Sequence, residues 1–119
     1  MITFLAVTVL TTLSQLPAEY HIDCSSWGGK GRTEVKVRFT GADGTRVAFD
    51  MELLPGSTGE SAREQIELPF ANAGWRTRTI GKTILVVEGP KRGGVRSAEI
   101  LSDGWKPEVR WVPLPPKKK

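Results

Sequence analysis

The sequence predicts an α+β fold, in which a small, mostly antiparallel sheet carries one helix packed on a face. Three observations lead to this prediction: several strand-length segments alternate apolar and polar residues, one segment spaces its apolar residues as a helix does, and strands both precede and follow that helix. The 119 residues are enough for one hydrophobic core, and neither a linker nor an internal repeat divides them. We therefore expect a single domain over residues 19–112.

A β-hairpin is the clearest predicted element. Apolar and polar residues alternate from Glu34 to Thr40 and again from Arg46 to Leu53, as expected for strands with one buried face. Between these strands, Gly41 and Gly44 flank a short turn sequence. The residues predicted to point inward are Val35, Val37, Phe39, Val47, Phe49, Met51 and Leu53.

One amphipathic helix is predicted after the hairpin. Ser57–Glu60 and Ser61–Glu64 both match the capping box that marks a helix N-terminus. Gly74 suits the position just beyond the C-terminal cap, where the backbone turns left-handed. The apolar residues that fall at helical spacing, and that should face the sheet, are Ala62, Ile66, Phe70 and Ala73.

Pro69 keeps a structural alternative open. Because proline lacks a backbone donor and crowds the preceding turn, we expect it to kink the helix or to end it near Glu67. If the segment forms only a turn, the strands on either side of it would instead build a β-sandwich.

Four further strands are predicted in the second half of the chain. The last of them should lie at an edge of the sheet, because Pro107 cannot donate a ladder hydrogen bond. A basic turn is predicted at Gly89–Gly94, and a tail rich in proline and lysine at residues 113–119. The strands are expected at Trp75–Thr79, Thr83–Val87, Val95–Ser102 and Trp105–Val112, with the second of these in the centre of the sheet.

Residues 1–14 are predicted to be a signal peptide. No charged side chain occurs from Met1 to Ala18, and Ile2–Leu13 has the length of the apolar part of a secretory signal. Because no Lys or Arg precedes Lys30, the usual positive start is missing, and a retained strand or helix or a membrane anchor is the alternative. The apolar run is too short to span a bilayer comfortably, so we expect no stable membrane span. Export to the periplasm or the medium is expected, with a cytoplasmic location as the alternative.

The chain carries few residues suited to catalysis or metal binding. Cys24 and His21 are the single cysteine and histidine, which excludes an intramolecular disulfide and a histidine-based metal cluster. His21, Asp23 and Ser25 would share a strand face, but a catalytic triad needs its histidine between the acid and the nucleophile. The segment Gly81–Thr83 lacks the first glycine and the following helix of a phosphate-binding loop. We therefore predict no catalytic residues, no cofactor and no metal.

Basic and aromatic residues form the candidate ligand surface. Seventeen Lys and Arg against 13 Asp and Glu give a formal net charge of +4, which permits an anionic partner without requiring one. The four tryptophans lie among the basic residues, a mixture that can bind single-stranded nucleic acid or acidic glycans, although tryptophan is more often a core residue. The candidate surface comprises Arg76, Arg78, Lys91, Arg92, Arg96, Trp105 and Trp111.

Two functions of different class are compatible with these features. The favoured one is a non-enzymatic, exported binding or structural module, whose partner is an unknown protein or an anionic polymer. It rests on the apparent signal segment and on the lack of a catalytic set of residues. The alternative is an intracellular single-stranded nucleic-acid-binding protein that uses the basic and aromatic residues.

Overall fold

A computed structural model of the chain describes residues 8–28, 31–91 and 93–114. The described residues form seven strands in one antiparallel sheet and one helix of 14 residues, which confirms the predicted mostly antiparallel sheet with one helix. The sandwich alternative fails, because the segment around Pro69 is helical and the strands share a single sheet. The elements are β1 (Thr8–Asp23), β2 (Thr33–Gly41), β3 (Arg46–Leu53), α1 (Gly59–Asn72), β4 (Trp75–Ile80), β5 (Ile84–Pro90), β6 (Val95–Ser102) and β7 (Glu108–Pro113).

The long strand β1 lies at the centre of the sheet. The strand order is β3-β2-β6-β1-β5-β4, and β7 also pairs with β1. Tyr20 pairs with both Val87 of β5 and Trp111 of β7, so these two strands lie on opposite sides of β1. Ala18 pairs with Val95 of β6 as well as with β7, which puts β6 on the same side as β5. Strands β5 and β6 therefore run end to end along one side of β1, and the sheet curls into a half-barrel.

Two glycines form the junction between β5 and β6. Gly89 and Gly94 both have positive φ angles, +95° and +93°, which glycine adopts without steric cost. The Gly94 amide donates to the carbonyl of Glu88 at 3.0 Å, and the Gly94 carbonyl accepts from Ala42 in the β2–β3 turn at 3.0 Å. The predicted turn is present, since the Gly93 amide donates to the Pro90 carbonyl at 2.8 Å, and the contacts of Gly94 join this turn to the end of the first hairpin.

The inner face of the sheet, whose side chains enter the hydrophobic core, is the one that the hairpin alternation predicted. Val35, Val37 and Phe39 of β2 are buried there, whereas Phe49 and Met51 of the edge strand β3 are only partly buried. Ala62, Ile66 and Phe70 of α1 are buried in the same cluster. The ring centroid of Phe70 lies 4.9 Å from that of Phe39 and 5.5 Å from that of Phe49.

The helix differs from the prediction at its ends. Its N-cap is Thr58, whose hydroxyl accepts from the Ser61 amide at 3.0 Å, so neither predicted capping box is used. The Ser57 hydroxyl instead accepts from the indole of Trp27 at 2.8 Å. At the other end Ala73 is the exposed C-cap rather than an inward residue, and Gly74 follows it with the predicted positive φ.

Pro69 neither ends nor divides the helix, which continues to Asn72. A proline at this position removes one backbone hydrogen bond. Because Pro69 lies in the last turn, this loss affects only the end of the helix. Two side-chain hydrogen bonds connect α1 to β4 and to the turn that follows it. Glu67 accepts from the Thr77 hydroxyl of β4 at 2.8 Å, and Arg63 donates to the Lys82 carbonyl at 3.1 Å. The interruption predicted near Glu67 was therefore wrong.

The two ends of the chain fall partly outside the described residues. Residues 1–7 of the predicted signal peptide and residues 115–119 of the predicted tail lie there, as does Arg92 of the candidate surface. Within the described part, Thr8–Leu13 form the first half of β1 and pair with Ser97–Ser102 of β6. Strand β7 begins at Glu108 rather than at Trp105 and lies at the predicted edge, pairing only with β1 among the described strands. No helix in the described segments has the length and apolarity needed to cross a membrane.

Candidate functional site

The two tryptophans of the candidate surface do not form an exposed pair. Trp105 lies before β7 and is only 7% exposed, with its ring 5.6 Å from that of Trp27 and its indole nitrogen donating to Ser26 at 3.1 Å. Trp111 packs against Tyr20 of the core, with ring centroids 4.8 Å apart. Trp105 is therefore a core residue, and Trp111 is partly exposed with its ring against the core.

The basic residues of the candidate surface differ in how far other side chains engage them. Arg78 is fully engaged, because its guanidinium donates to Glu19 and to Glu88 at 2.8 Å each. Arg76 is exposed on β4, opposite Gly89. Lys91 and Arg96 are exposed at the β5–β6 junction and at the start of β6. Arg76, Lys91 and Arg96 therefore flank the β5–β6 junction, while Arg78 is held by two carboxylates.

His21 is buried on the outer face of the sheet, opposite the core. The residue is 7% exposed, and its Nε2 lies 3.3 Å from Oε1 of Glu19, the carboxylate that also binds Arg78. Asp23 accepts from the backbone amide of Ser25 at 2.9 Å rather than from His21. The strand ends at Asp23, so His21, Asp23 and Ser25 do not assemble as a triad, in agreement with the sequence argument.

The strand register places two rows of side chains beside His21 on the outer face. The first row crosses four strands as Ile80, Ile84, Asp23 and Glu108, and the next row crosses the same strands as Arg78, Val86, His21 and Arg110. An open cleft of about 340 Å³ lies over these rows. This His21 cleft is lined by His21, Asp23, Ile80, Ile84, Glu108, Val109 and Arg110.

A second cleft, of about 440 Å³, lies on the outer face of β3, β2 and β6. The register aligns Arg46, Thr40 and Ser97 in one row across these strands. Ala48 follows two residues after Arg46 and has no long side chain to fill the space. This Arg46 cleft is lined by Arg38, Phe39, Thr40, Arg46, Val47, Ala48, Ser97, Ala98 and Glu99.

The Arg46 cleft lies at the same end of the sheet as the basic β5–β6 junction. Gly41 pairs with Val95, and the amide of Ala42 donates to Gly94. Hydrogen bonds from Thr45 lower the pKa of Asp43 in this turn, with a smaller contribution from the positive charge of Lys91. The hydrogen bond between Ala42 and Gly94 places the β5–β6 junction, which carries Lys91, beside the β2–β3 turn that adjoins the cleft.

Cys24 offers no reactive nucleophile at neutral pH. Its side chain is fully buried in the core, and this burial, with a smaller effect of the Asp23 carboxylate, raises the pKa of the thiol to about 12. Because the thiolate is the reactive form, the group behaves as a small apolar residue, as the sequence interpretation held. Among the described residues, no group of three or more His, Cys, Asp or Glu side chains could hold a metal ion.

Comparison of the chain with protein-family models, with curated proteins and with solved structures found no match. Any function has to be inferred from the side chains that the fold brings together. The two clefts stand out because Arg46 in one, and Asp23, Glu108 and Arg110 in the other, have no ion pair within the described part of the chain.

Most of the cleft residues were missed by the sequence analysis. Arg38 and Arg46 were interpreted only as the polar side of a hairpin, and Glu108 and Arg110 only as part of an edge strand. The alternation in the hairpin does predict that Arg46 and Thr40 lie side by side, since both belong to its polar face. Ser97 joins them only through the pairing of β2 with β6, which no local pattern predicts.

Proposed function

We propose that this chain is a non-enzymatic, exported binding module, and that the Arg46 cleft holds an acidic group of a protein or an anionic polymer. One observation carries the proposal: a guanidinium without an ion pair among the described residues and two hydroxyl groups line the same open cleft on three adjacent strands. An exported location is supported by the uncharged, apolar start of the chain.

The chemistry of the cleft suits an oxyanion. The guanidinium of Arg46 presents a planar set of donors that matches a carboxylate, sulfate or phosphate group. The hydroxyls of Thr40 and Ser97 make no hydrogen bond to other described residues, so both are available as further donors. The neighbouring Arg38 is held in place by Asp50 at 3.0 Å and by the carbonyls of Val37 and Phe49. Arg38 thus forms a fixed wall of the cleft.

The charges around the cleft favour the same class of partner. Lys91 and Arg96 are exposed at the adjoining end of the sheet, and the chain as a whole carries a formal charge of +4. Clustered positive charge raises the local concentration of an anionic partner and speeds its association. Glu99 also lines the cleft, so we expect selectivity for one anionic group at Arg46 rather than uniform binding along a polyanion.

The nucleic-acid alternative has less support from the geometry. Trp27, Trp75 and Trp105 are buried, and Trp111 packs against the core. Binding of single strands without sequence preference relies on aromatic rings on which bases stack. Three of the four indole rings are buried and Trp111 is only partly exposed, so we favour recognition of an anionic group without base stacking.

The substitution Arg46→Gln tests the proposed function, with dextran sulfate and polyglutamate as probes at low salt. We expect the wild-type protein to bind at least one probe, and Arg46→Gln to weaken that binding about tenfold, the effect of losing one charge-assisted contact. Arg32→Gln is the matched control, since Arg32 is exposed at the other end of β2 and makes only a long contact with Glu52, 3.8 Å. Equal weakening by both variants, or no binding of either probe, would contradict the proposal.

Export is tested by the intact mass of the protein recovered from its native host. We expect a mature chain that has lost about the first fourteen residues, as cleavage of a secretory signal requires. The full-length chain in a cytoplasmic fraction would contradict export and would make Thr8–Leu13 a permanent part of the sheet. No residue of the Arg46 cleft lies in the first fourteen, but Leu13 pairs with Ser97 of the cleft, so the Arg46 measurement is made on both the full-length and the mature chain.

A further inference from the structure

We infer that the His21 cleft is a second binding site, and that its ligand is a small zwitterion, a dipeptide with an apolar side chain. The site goes beyond the proposed function, because it lies over β4, β5, β1 and β7 and shares no lining residue with the Arg46 cleft. Its volume of about 340 Å³ is in the range of small-ligand sites.

One row of the cleft carries two carboxylates that face each other. Asp23 of β1 pairs directly with Glu108 of β7 in an antiparallel register, which brings their Cβ atoms to about 5 Å. Like charges in directly opposite positions destabilise a sheet, and neither carboxylate has a cation partner in the described segments. One oxygen of Asp23 accepts from Ser25, which leaves its second oxygen open. A ligand ammonium group between the two carboxylates would neutralise this repulsion.

The neighbouring row supplies the opposite charge. Arg110 of β7 is exposed, pairs in register with His21, and has no ion pair within the described residues. His21 itself is oriented by Glu19, and Arg78 beyond it is engaged by Glu19 and Glu88. Arg110 is therefore the group in this row that is free to bind a carboxylate, and it would do so in a planar, two-point contact.

The spacing of the rows sets the length of the ligand. Successive residues on one face of a strand are two positions apart, so the two rows are separated by about 6.8 Å. Two extended amino-acid residues span about 6.6–7.2 Å. A dipeptide matches this backbone spacing with its ammonium group at Asp23 and Glu108 and its carboxylate at Arg110, whereas a single amino acid spans only about half of it.

Two isoleucines form the apolar side of the cleft. Ile80 at the end of β4 is 40% exposed, and it pairs in register with Ile84 of β5, which in turn pairs with Asp23. Large apolar side chains left open to solvent beside a concave site are typical of surfaces that a ligand covers. An apolar ligand side chain would lie on this pair next to the ammonium site.

The experiment is a titration of the full-length protein with Ala-Leu, followed by calorimetry or by chemical shifts of the Arg110 region. We expect Ala-Leu to bind, and we expect Glu108→Gln and Arg110→Gln each to weaken the binding about tenfold. Arg32→Gln is the control and should leave it unchanged, since Arg32 precedes β2 and lies outside both clefts. Glu108 and Arg110 are exposed, so Arg110→Gln is expected to keep the wild-type melting temperature, and Glu108→Gln to keep or slightly raise it, because its repulsion with Asp23 is removed.

Three further probes separate the zwitterion from simpler explanations. N-acetyl-Ala-Leu and Ala-Leu amide each lack one of the two charges, and free leucine lacks the length, so all three should bind at least tenfold more weakly than Ala-Leu. Equal binding of a blocked dipeptide, equal binding of leucine, or no binding of Ala-Leu at millimolar concentration would overturn the inference. Failure of the Arg46→Gln experiment would leave it unaffected, because the two sites share no residue.

Discussion

Gly89→Ala is expected to destabilise the protein by about 4 kcal/mol. A Cβ atom at this position would lie 2.4 Å from the carbonyl oxygen and 2.7 Å from the carbonyl carbon of Gly94. The positive φ of +95° adds about 1–3 kcal/mol of backbone strain for any L-residue with a side chain, and relief of the clash adds a similar amount. The Gly94 backbone cannot move away without breaking its hydrogen bonds to Glu88 and Ala42. Denaturant unfolding monitored by tryptophan fluorescence measures the loss.

Gly44→Ala is the control for this prediction. Gly44 has a similar φ of +88°, but a Cβ there would meet no atom within 4 Å. Only the cost of the left-handed backbone should remain, about 1–2 kcal/mol. If the two variants lose the same stability, the close approach of Gly89 to Gly94 does not constrain the fold.

Phe70→Ala is expected to cost about 3–5 kcal/mol, the usual effect of emptying a large aromatic site in a core. The Phe70 ring is fully buried and contacts rings from three elements, with centroids 4.9 Å from Phe39, 5.5 Å from Phe49 and 5.8 Å from Trp75. Because these rings come from β2, β3 and β4, the substitution leaves a cavity between the helix and both ends of the curled sheet. Thermal and denaturant unfolding should both show the loss.

Leu68→Ala tests whether the effect belongs to burial rather than to the helix itself. Leu68 lies two residues away on the same helix and is 59% exposed, so its truncation should change the free energy of unfolding by less than about 0.5 kcal/mol. A large loss at Leu68, or a small one at Phe70, would show that α1 is stabilised by contacts other than the aromatic cluster.

The sequence predicts the elements of this fold well, because their signals are local. Alternation over Glu34–Thr40 and Arg46–Leu53 identifies the hairpin and its buried face, and the spacing of Ala62, Ile66 and Phe70 identifies the helix. The helix start was missed by one residue for a non-local reason. The hydroxyl of Ser57 is used by Trp27, thirty positions earlier, which leaves Thr58 as the cap.

The candidate sites were much harder to predict. Each cleft depends on pairing between strands far apart in sequence: β2 with β6 for the Arg46 cleft, and β1 with β7 for the His21 cleft. Asp23 and Glu108 come together only through that second pairing. The aromatic part of the predicted surface failed for the opposite reason, because composition cannot distinguish a tryptophan in the core from one at a binding surface, and Trp105 and Trp111 pack inward.

The central position of β1 determines the order in which the protein can be completed. Its three neighbours, β5, β6 and β7, all begin at Ile84 or later, whereas β1 ends at Asp23. β1 therefore leaves the ribosome well before any strand that pairs with it, whereas the β2–β3 hairpin and α1 can form from local contacts. During that interval β1 lacks the strands that pair with it in the fold and is accessible to a targeting factor or a chaperone. The sheet is complete only when β7 has paired with β1.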